Sequence, residues 1–484
     1  MEETNKPQKI YGPSYIWPKG GLAEMINDTE HDKTYFVTTS GEINSLAEGI
    51  QPQDRITVVG NKQMFPLKAE DSLIQNGFVK FPSGLQEYEG LSQLYNQVEN
   101  YIKKYVLLPE DFTAVSAVYV LLSWLYHRFP IIPYLRVLGD YGTGKSRFLE
   151  IIGNLCYRPM NVGASATMAA VFRTIDFMRG SLIFDESDFK NSELWSEIIK
   201  MLNMGHSANA SVIRMEFQEE TKTFKTVSFK VFGPKVLASR ERYQDMALES
   251  RCLTHRLMPQ ENLDLPIFLP TEATKEAEEL QNKLLAFRLL QYYKISYDEN
   301  IVKEIKNPRI KQTLLSLASV AKLIGDDILD KIIGFGKALE EDLKVERKRS
   351  LEIDVLECLV NYLAQLQTGE DEEGITLAET DKIRIGNLAQ YFNTRYFDEF
   401  NESKPIMGKE GPYYNSNRQV SARKLGAMVN RLGIKTDRDG RGFYIPQEQF
   451  QVINKLAKYH QISSNSKPQN DDTIKKDGTL KEEN

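Results

Sequence analysis

Apolar positions change their period several times along the chain, and each change predicts a different kind of element. From Leu91 to Arg128 they recur at helix spacing, with Leu91, Leu94, Tyr95 and Val98 on one face, and Pro109-Glu110-Asp111 separates two helices. The second helix contains the most apolar run, Ala114–Tyr126. At about 13 residues this run falls short of the roughly 20 that span a membrane, so a buried core helix is predicted. Between Ile131 and Pro259, apolar runs alternate with helix-like stretches: Tyr134–Gly139, Pro159–Gly163, Ser181–Phe184, Val231–Ser239 and Cys252–Pro259. Five such strands with helices between them predict an α/β domain on a parallel sheet. From about Pro270 to Lys348 the pattern is helical throughout, with amphipathic segments such as Arg309–Ile324. Leu351–Leu366 is a further helix and Thr368–Gly374 a loop; Ile375–His460 reads as helix, helix, short hairpin and closing helix. Residues 1 to about 85 predict a small, mostly β element with loose ends, including the extended pieces Thr34–Thr38 and Arg55–Gly60. Beyond Gln461 apolar residues almost vanish, and a disordered tail is expected.

Composition narrows what this layout serves. The chain has 484 residues, enough for roughly three domains of about 150 residues, and is 41% apolar. That share supports at least one large core. Lys and Arg number 61 against 67 Asp and Glu, a net charge of −6. A protein that coats nucleic acid by bulk charge is excluded, and a local basic face is not. Cys156, Cys252 and Cys358 lie far apart and match no zinc, redox or disulfide pattern. The N-terminal MEETNKPQKI is polar with acids at positions 2 and 3, so a cytoplasmic protein without signal peptide or membrane contact is expected. The five histidines are isolated and expected to be structural.

The strongest chemical signal is Gly139-Asp140-Tyr141-Gly142-Thr143-Gly144-Lys145-Ser146, which fits G-x-x-x-x-G-K-[ST] in full. It follows the apolar run Tyr134–Leu138 and opens the helix-like Arg147–Leu155. Its glycines let the backbone curl so that successive N–H groups point at phosphates, backed by the positive end of the helix. Lys145 then bridges the β- and γ-phosphates and Ser146 holds Mg2+, so ATP and Mg2+ are the expected ligands. About 40 residues on, Arg179–Glu186 runs into two acids. Asp185 is expected to reach the magnesium through water and Glu186 to polarise the attacking water. Both acids together point to hydrolysis rather than nucleotide binding alone. The strand Val231–Ser239 ends in Ser239-Arg240-Glu241-Arg242, where Ser239 and Arg240 are candidates for contact with the γ-phosphate.

Further on comes Ala247-Leu248-Glu249-Ser250-Arg251. The order of phosphate loop, Asp-Glu strand, hairpin, sensor strand and Ser-Arg resembles the AAA+ ATPases, most closely the MCM-like group. Tyr134–Asp140 resembles the MCM-like replicative helicases of mobile elements, such as those of staphylococcal cassette chromosomes. The resemblance covers about residues 90–450. It implies that Glu249-Ser250-Arg251-Cys252-Leu253 is the counterpart of the family's Leu-Ser-Arg-Phe-Asp, whose arginine is a finger. Such an arginine works across a subunit boundary. The resemblance therefore implies a homo-oligomer, a ring of six, with ATP held by Lys145, Ser146 and Asp185 and met by Arg251 of the next subunit. Arg309, in Asn307-Pro308-Arg309-Ile310, begins a lid helix and is read either as a second sensor at ATP or as an ordinary helix-start arginine. The chain departs from the family where Ser239 and Arg240 stand in place of the usual Asn, and in its short N-terminal region.

Two segments are candidates for nucleic acid. Ser211–Glu216 and Lys222–Val227 alternate around a polar turn and predict a β-hairpin, located like the pre-sensor hairpin of MCM-like motors. Lys222 and Lys225 near its tip suit the phosphates of a DNA strand; Glu219 and Glu220 suit a merely solvated hairpin. Nearer the C-terminus, Ser421–Leu432 reads as a helix capped by Ser421, and Ile434–Ile445 as a hairpin. Helices followed by a glycine-tipped basic wing resemble a winged helix, whose last core helix enters the major groove while the wing meets phosphate. Asn415–His460 holds nine Lys or Arg against three Asp or Glu, so this part is positive within a negative chain. Arg423, Lys424, Arg438 and Arg441 are the candidate DNA contacts; a winged helix that serves protein contacts is the other reading.

The expected architecture is α/β: a small N-terminal region (1–88), an AAA+ P-loop NTPase core (89–262), a helical lid (263–348), a C-terminal winged-helix domain (349–460) and a disordered tail (461–484). The expected function is an ATP-dependent DNA helicase, a ring motor in replication of a phage, plasmid or other mobile element. Two readings stay open beside it: a replication initiator or helicase loader in which ATP gates DNA binding, and an ATP-gated winged-helix regulator.

Overall fold

The computed structural model describes residues 7–60, 62–163, 166–186, 195–218, 222–243, 245–258, 265–348, 351–368, 382–401, 406–408, 411–413, 420–460 and 462. The expected tail (but for Ile462), the loop residues 369–374, and Glu219 and Glu220 lie outside them. The chain divides between Glu340 and Glu341 into two units.

In the first unit five strands form a wholly parallel sheet, ordered Cys252–Arg256, Tyr134–Leu138, Lys235–Ser239, Ser181–Asp185, Pro159–Val162. They coincide with the five apolar runs of the sequence to within a few residues. The largest difference is in Val231–Ser239, where pairing starts only at Lys235; Pro234 has no N–H to give to a ladder. Parallel sheets are covered on both faces, and the strands Tyr134–Leu138 and Lys235–Ser239 are buried at every residue. Two of those residues are charged and are paired internally. Arg136 pairs with Glu249, and Lys235 donates to the carbonyls of Gly205, Val231 and Gly233 at 2.9–3.1 Å. Because all five strands run one way, the residues after Leu138, Phe184 and Ser239 emerge at one edge, the carboxyl edge where open α/β sheets bind ligands.

Helices cover the sheet. Leu91–Tyr105 and Glu110–Leu125 are separated at Pro109, and the second is buried at every residue from Phe112 on. Among the described residues no helix is long and apolar enough to cross a membrane. Thr271–Gln291, Pro308–Ile324 and Asp326–Lys348 form the helical stretch that follows. Asn307 caps the second of these by accepting from the N–H groups of Arg309 and Ile310, with Pro308 in its first turn.

The N-terminal region forms two small sheets, one ordered Ser14–Ile16, Leu22–Asp28, Lys33–Thr39, Gln51–Gln53 and one ordered Lys9–Tyr11, Lys62–Phe65, Ile56–Val58. It shares a core with the parallel sheet: Ala23, Met25, Phe36 and Val79 lie in one apolar cluster with Met160, Leu182 and Leu237. A buried ion group joins the two. Glu24 accepts from Arg158 at 2.5 Å, from Arg288 at 2.7 Å and from the Tyr157 hydroxyl at 2.9 Å. A Cβ on Gly180 would lie 2.2 Å from the Arg158 carbonyl oxygen, so glycine is what lets these segments touch.

The second unit has helices Leu351–Thr368, Ile385–Asn401, Ala422–Arg431 and Phe450–His460 around one apolar core that includes Leu359, Leu388, Leu425 and Ile453. Ser421 caps the third by accepting from the Lys424 N–H. Strands Asp437–Asp439 and Gly442–Pro446 make the hairpin, and Lys382–Arg384 adds a third strand beside the latter. Gly442, at the hairpin turn, has a φ of +117°. A short ladder of Ile406–Gly408 and Gly411–Tyr413 had no signal in the sequence pattern.

Candidate functional site

The loop after strand Tyr134–Leu138 has the shape its glycines permit. Gly142 and Gly144 have φ of +76° and +92°, backbone that glycine adopts without strain. Gly139 is needed for space, because a Cβ there would lie 2.3 Å from Thr143 Oγ1. Helix Lys145–Leu155 begins directly after Gly144, so its unpaired N–H groups and positive dipole end face the loop. Lys145 is 8% exposed and donates to the carbonyls of Gly139 and Asp140 at 2.8 and 2.7 Å. Its ammonium is folded onto the loop, where phosphate oxygens would compete for it.

A cavity of about 390 Å³ opens here, lined by Tyr141, Gly142, Gly144, Lys145, Ser146, Arg147, Asp185 and Arg240. The sheet order brings Asp185 to it from two strands away, with the strand that leads to Arg240 between. Arg240 lies over the Tyr141 ring at 3.6 Å, and its buried Nε has no hydrogen-bond partner. Such an orphaned cationic donor beside Lys145 suits an anion. Ser239, the other candidate at this strand end, does not line the cavity; its hydroxyl donates to the Glu241 carbonyl at 3.0 Å. Glu186 is 3% exposed and is not among the lining residues; it accepts a hydrogen bond from the Tyr243 hydroxyl. Among the described residues no three His, Cys, Asp or Glu gather as a metal site. Ser146 and Asp185 instead fit an ion that keeps most of its water and phosphate ligands, as Mg2+ does.

A second cavity, about 470 Å³, adjoins the first through Gly142, Gly144 and Arg147. Its walls are Val106–Pro109, His255–Met258 and Leu265. Burial lowers the His255 pKa, and its ring is tilted against Phe112 at 5.1 Å. A largely apolar recess beside a phosphate loop has the character of a nucleobase pocket. The sequence reading missed it, because neither wall carries a motif; the trace it leaves is exposed apolar residues, Leu107 and Met258, at segment ends.

Arg251 is at the opposite edge of the sheet. The register pairs Cys252 with Tyr134 and Arg256 with Leu138. Arg251 thus precedes the amino end of its strand, while Lys145 follows the carboxyl end of the neighbouring one. Five residues of strand, about 17 Å, separate them, so Arg251 does not reach the phosphates of its own chain. Its guanidinium donates to Asn203 Oδ1, its buried Nε has no partner, and burial and nearby Arg309 lower its pKa. Arg309 lines neither cavity. Helix Pro308–Ile324 starts beside Ser250, and Arg309 donates to the Ser250 hydroxyl at 3.0 Å and to Gln312 at 2.8 Å. Two arginines therefore share the amino edge.

The expected hairpin pairs Val212–Gln218 with Thr223–Phe229. Lys222 stands at its turn with a φ of +53°, and Lys222 and Lys225 are exposed. Its two faces are inverted relative to the usual pattern. Arg214 and Glu216 face the body, with Glu216 bonded to Arg173 at 2.8 Å. Ile213, Met215, Phe217 and Phe224 face outward at 50–67% exposure. Phe217 and Phe224 pair edge-to-face at 5.4 Å.

In the second unit Arg423, Lys424, Arg438 and Arg441 are all exposed. Arg423 and Arg441 line a cleft of about 650 Å³ between the Ala422–Arg431 helix, the start of the Ile385–Asn401 helix and the hairpin. Arg438 lies over the Phe443 ring at 5.4 Å. Arg384 grips Asp439 with two bonds of 3.0 Å, and this pairing with the Arg441 N–H holds the Asp439 carboxyl well below the usual carboxylate range. The hairpin is thus fastened beside its turn, at Asp439, while Arg438 and Arg441 are exposed.

No protein-family model matches the chain, and no curated protein matches it. Among solved structures, JCV helicase bound to an acetamide compound is 15% identical with a TM-score of 0.23, over 52% of this chain and 61% of that one. The apo C-terminal region of NrS-1 is 10% identical with a TM-score of 0.33, over 88% and 96%. Cdc6p from Pyrobaculum aerophilum is 12% identical with a TM-score of 0.20, over 76% and 99%. This chain thus spans about three fifths of the JCV helicase chain. Similarity at these TM-scores establishes neither a family nor a function. What the chain itself carries is a parallel α/β sheet with a phosphate loop, an acidic strand end and a cationic strand end around one cavity.

Proposed function

We propose that the chain is an ATP-driven DNA helicase, an AAA+ motor of the MCM-like kind that works as a homo-oligomeric ring, with a winged-helix domain in its second unit. The observation that carries this reading is the split of its cations between two edges of one sheet. Lys145 and Arg240 flank the phosphate cavity with Ser146 and Asp185, whereas Arg251 lies about 17 Å away along the strand, with Arg309 on neighbouring Ser250, where a neighbour's nucleotide would meet them. Exposed Tyr141, Met258, Ile267 and Phe268 near the nucleotide cavities suit a covering subunit. Six such subunits in a ring is the number the MCM resemblance suggests.

In this reading the loop N–H groups and Lys145 bind the β- and γ-phosphates, Arg240 leaves the Tyr141 ring for the γ-phosphate, and the apolar recess takes the base. Ser146 and Asp185 hold Mg2+, which when bound neutralises phosphate charge. Glu186 takes the proton of the attacking water, and Arg251 of the next subunit offsets the developing charge. The hairpin, with Lys222 and Lys225, touches the strand, and Arg423, Lys424, Arg438 and Arg441 meet duplex phosphates. A replicon of a phage, plasmid or integrated element is the proposed setting.

The test is ATP-dependent unwinding of a labelled forked duplex, with Glu186→Gln as the inactive control. Unwinding that vanishes in the control is expected. Hydrolysis without unwinding would move the protein to the initiator or loader class, in which ATP gates DNA binding.

A further inference from the structure

Glu186 and Asp185 are neighbours in sequence, yet only Asp185 lines the phosphate cavity. Glu186 is turned inward, 3% exposed, and accepts from the Tyr243 hydroxyl. Tyr243 follows the Lys235–Ser239 strand by four residues and belongs to no motif. Its ring is held on two sides: the Arg136 guanidinium lies 4.7 Å from its centroid, and Trp195 stacks at 6.4 Å with 26° between the planes. Its backbone N–H donates to Glu249 Oε2 at 3.0 Å, and Glu249 also pairs with Arg136. The Tyr243 side chain is thus fixed in place on two sides of its ring and at its backbone.

We propose that Tyr243 is a positioning residue that holds Glu186 off the phosphate cavity in the resting enzyme, so that this hydrogen bond must break before hydrolysis. The inference rests on Glu186 being the base of the ATPase proposed above. Two facts of chemistry support it. A carboxylate that accepts a phenol proton is a weaker base than a free one. Burial and the Glu186 charge also raise the Tyr243 pKa well above its ordinary value, so the phenol keeps its proton and stays a donor. The phenol therefore remains able to donate across the pH range of the test.

The experiment is steady-state ATP turnover by the full chain without DNA, for wild type, Tyr243→Phe, Glu186→Gln and the double variant, from pH 5.5 to about 9. Loss of one hydrogen bond to a charged group should raise kcat about tenfold and leave KM unchanged. The acid limb of kcat should move to higher pH, because the carboxylate has lost a donor to its charged form. The double variant should be inactive. A Tyr243→Phe enzyme with kcat at or below wild type and an unmoved acid limb overturns the latch, provided wild-type turnover needs Glu186. Turnover that is absent, or indifferent to Glu186→Gln, overturns the ATPase reading itself. If Tyr243→Phe melts early, Tyr243→Met keeps the bulk without the hydroxyl and must raise kcat likewise.

Discussion

His206 shows how a single side chain reports its surroundings. Burial, then Arg251 and Arg309, lower its pKa to about 4. An unfolded histidine takes its proton near pH 6.5, so between about 6.5 and 4 unfolding is accompanied by proton uptake. Stability present above pH 6.5 is therefore lost as pH falls towards 4. Buried His127, lowered well below its ordinary value by burial and then by Arg288, Arg158 and Arg179, acts in the same direction. The melting temperature should fall from pH 7 to pH 5, and fall less in His206→Gln; equal slopes would remove His206 from the account. Individual residues differ in how far the sequence discloses them. Gly139, Lys145, Ser146 and Asp185 are legible because a tightly curled loop between a strand and a helix permits few residue types at that spacing. The contact of Glu186 with Tyr243, and the place of Arg240 rather than Ser239 at the cavity, were not legible, since each depends on which way a side chain turns at a strand end. Arg309 reads either as a sensor or as an ordinary helix-start arginine, and the packing of its helix on Ser250 places it away from both cavities of its own chain.

At the scale of elements, periodicity located all five strands of the parallel sheet and the buried helix, because a strand buried on both faces can hardly avoid an apolar run. The hairpin was located too, but not its inversion. Alternation fixes that two faces differ, and says nothing of which one meets solvent; here Arg173 and Glu197 on neighbouring helices draw Glu216 and Arg214 inward. Lys222 and Lys225 remain the cations nearest the tip. Lys222→Ala with Lys225→Ala should leave basal ATP turnover intact and abolish its stimulation by single-stranded DNA. The slope of log affinity against log salt should also shrink by about 1.4, the share of two phosphate contacts on a single strand. A slope unchanged by the double substitution would return both lysines to solvation of an exposed turn.

At the scale of the whole molecule, the boundary expected at residue 88 does not separate the N-terminal sheets from the core they cover. No periodicity announces this, because the link is a shared apolar cluster and one buried acid: burial raises the Glu24 pKa, and Arg288 and Arg158 outweigh it, so the net shift is downward and the group is ionised. Glu24→Gln would leave two buried guanidiniums without their counter-charge. A loss of about 3–5 kcal/mol is expected in chemical denaturation, against a change under about 1 kcal/mol for an exposed acid such as Glu30. A loss as small as that for Glu30 would mean that the apolar cluster alone holds the N-terminal sheets. The same contact sets a schedule for synthesis. Glu24 and Arg288 are 264 residues apart in the chain. At ribosomal rates of about 5–20 residues per second, the N-terminal sheets leave the exit tunnel roughly 13–53 s before the helix that neutralises them. During that interval Glu24 can meet Arg158 and Tyr157 but not Arg288, and its buried ion group is incomplete. The second guanidinium of that group is supplied only when the Thr271–Gln291 helix arrives.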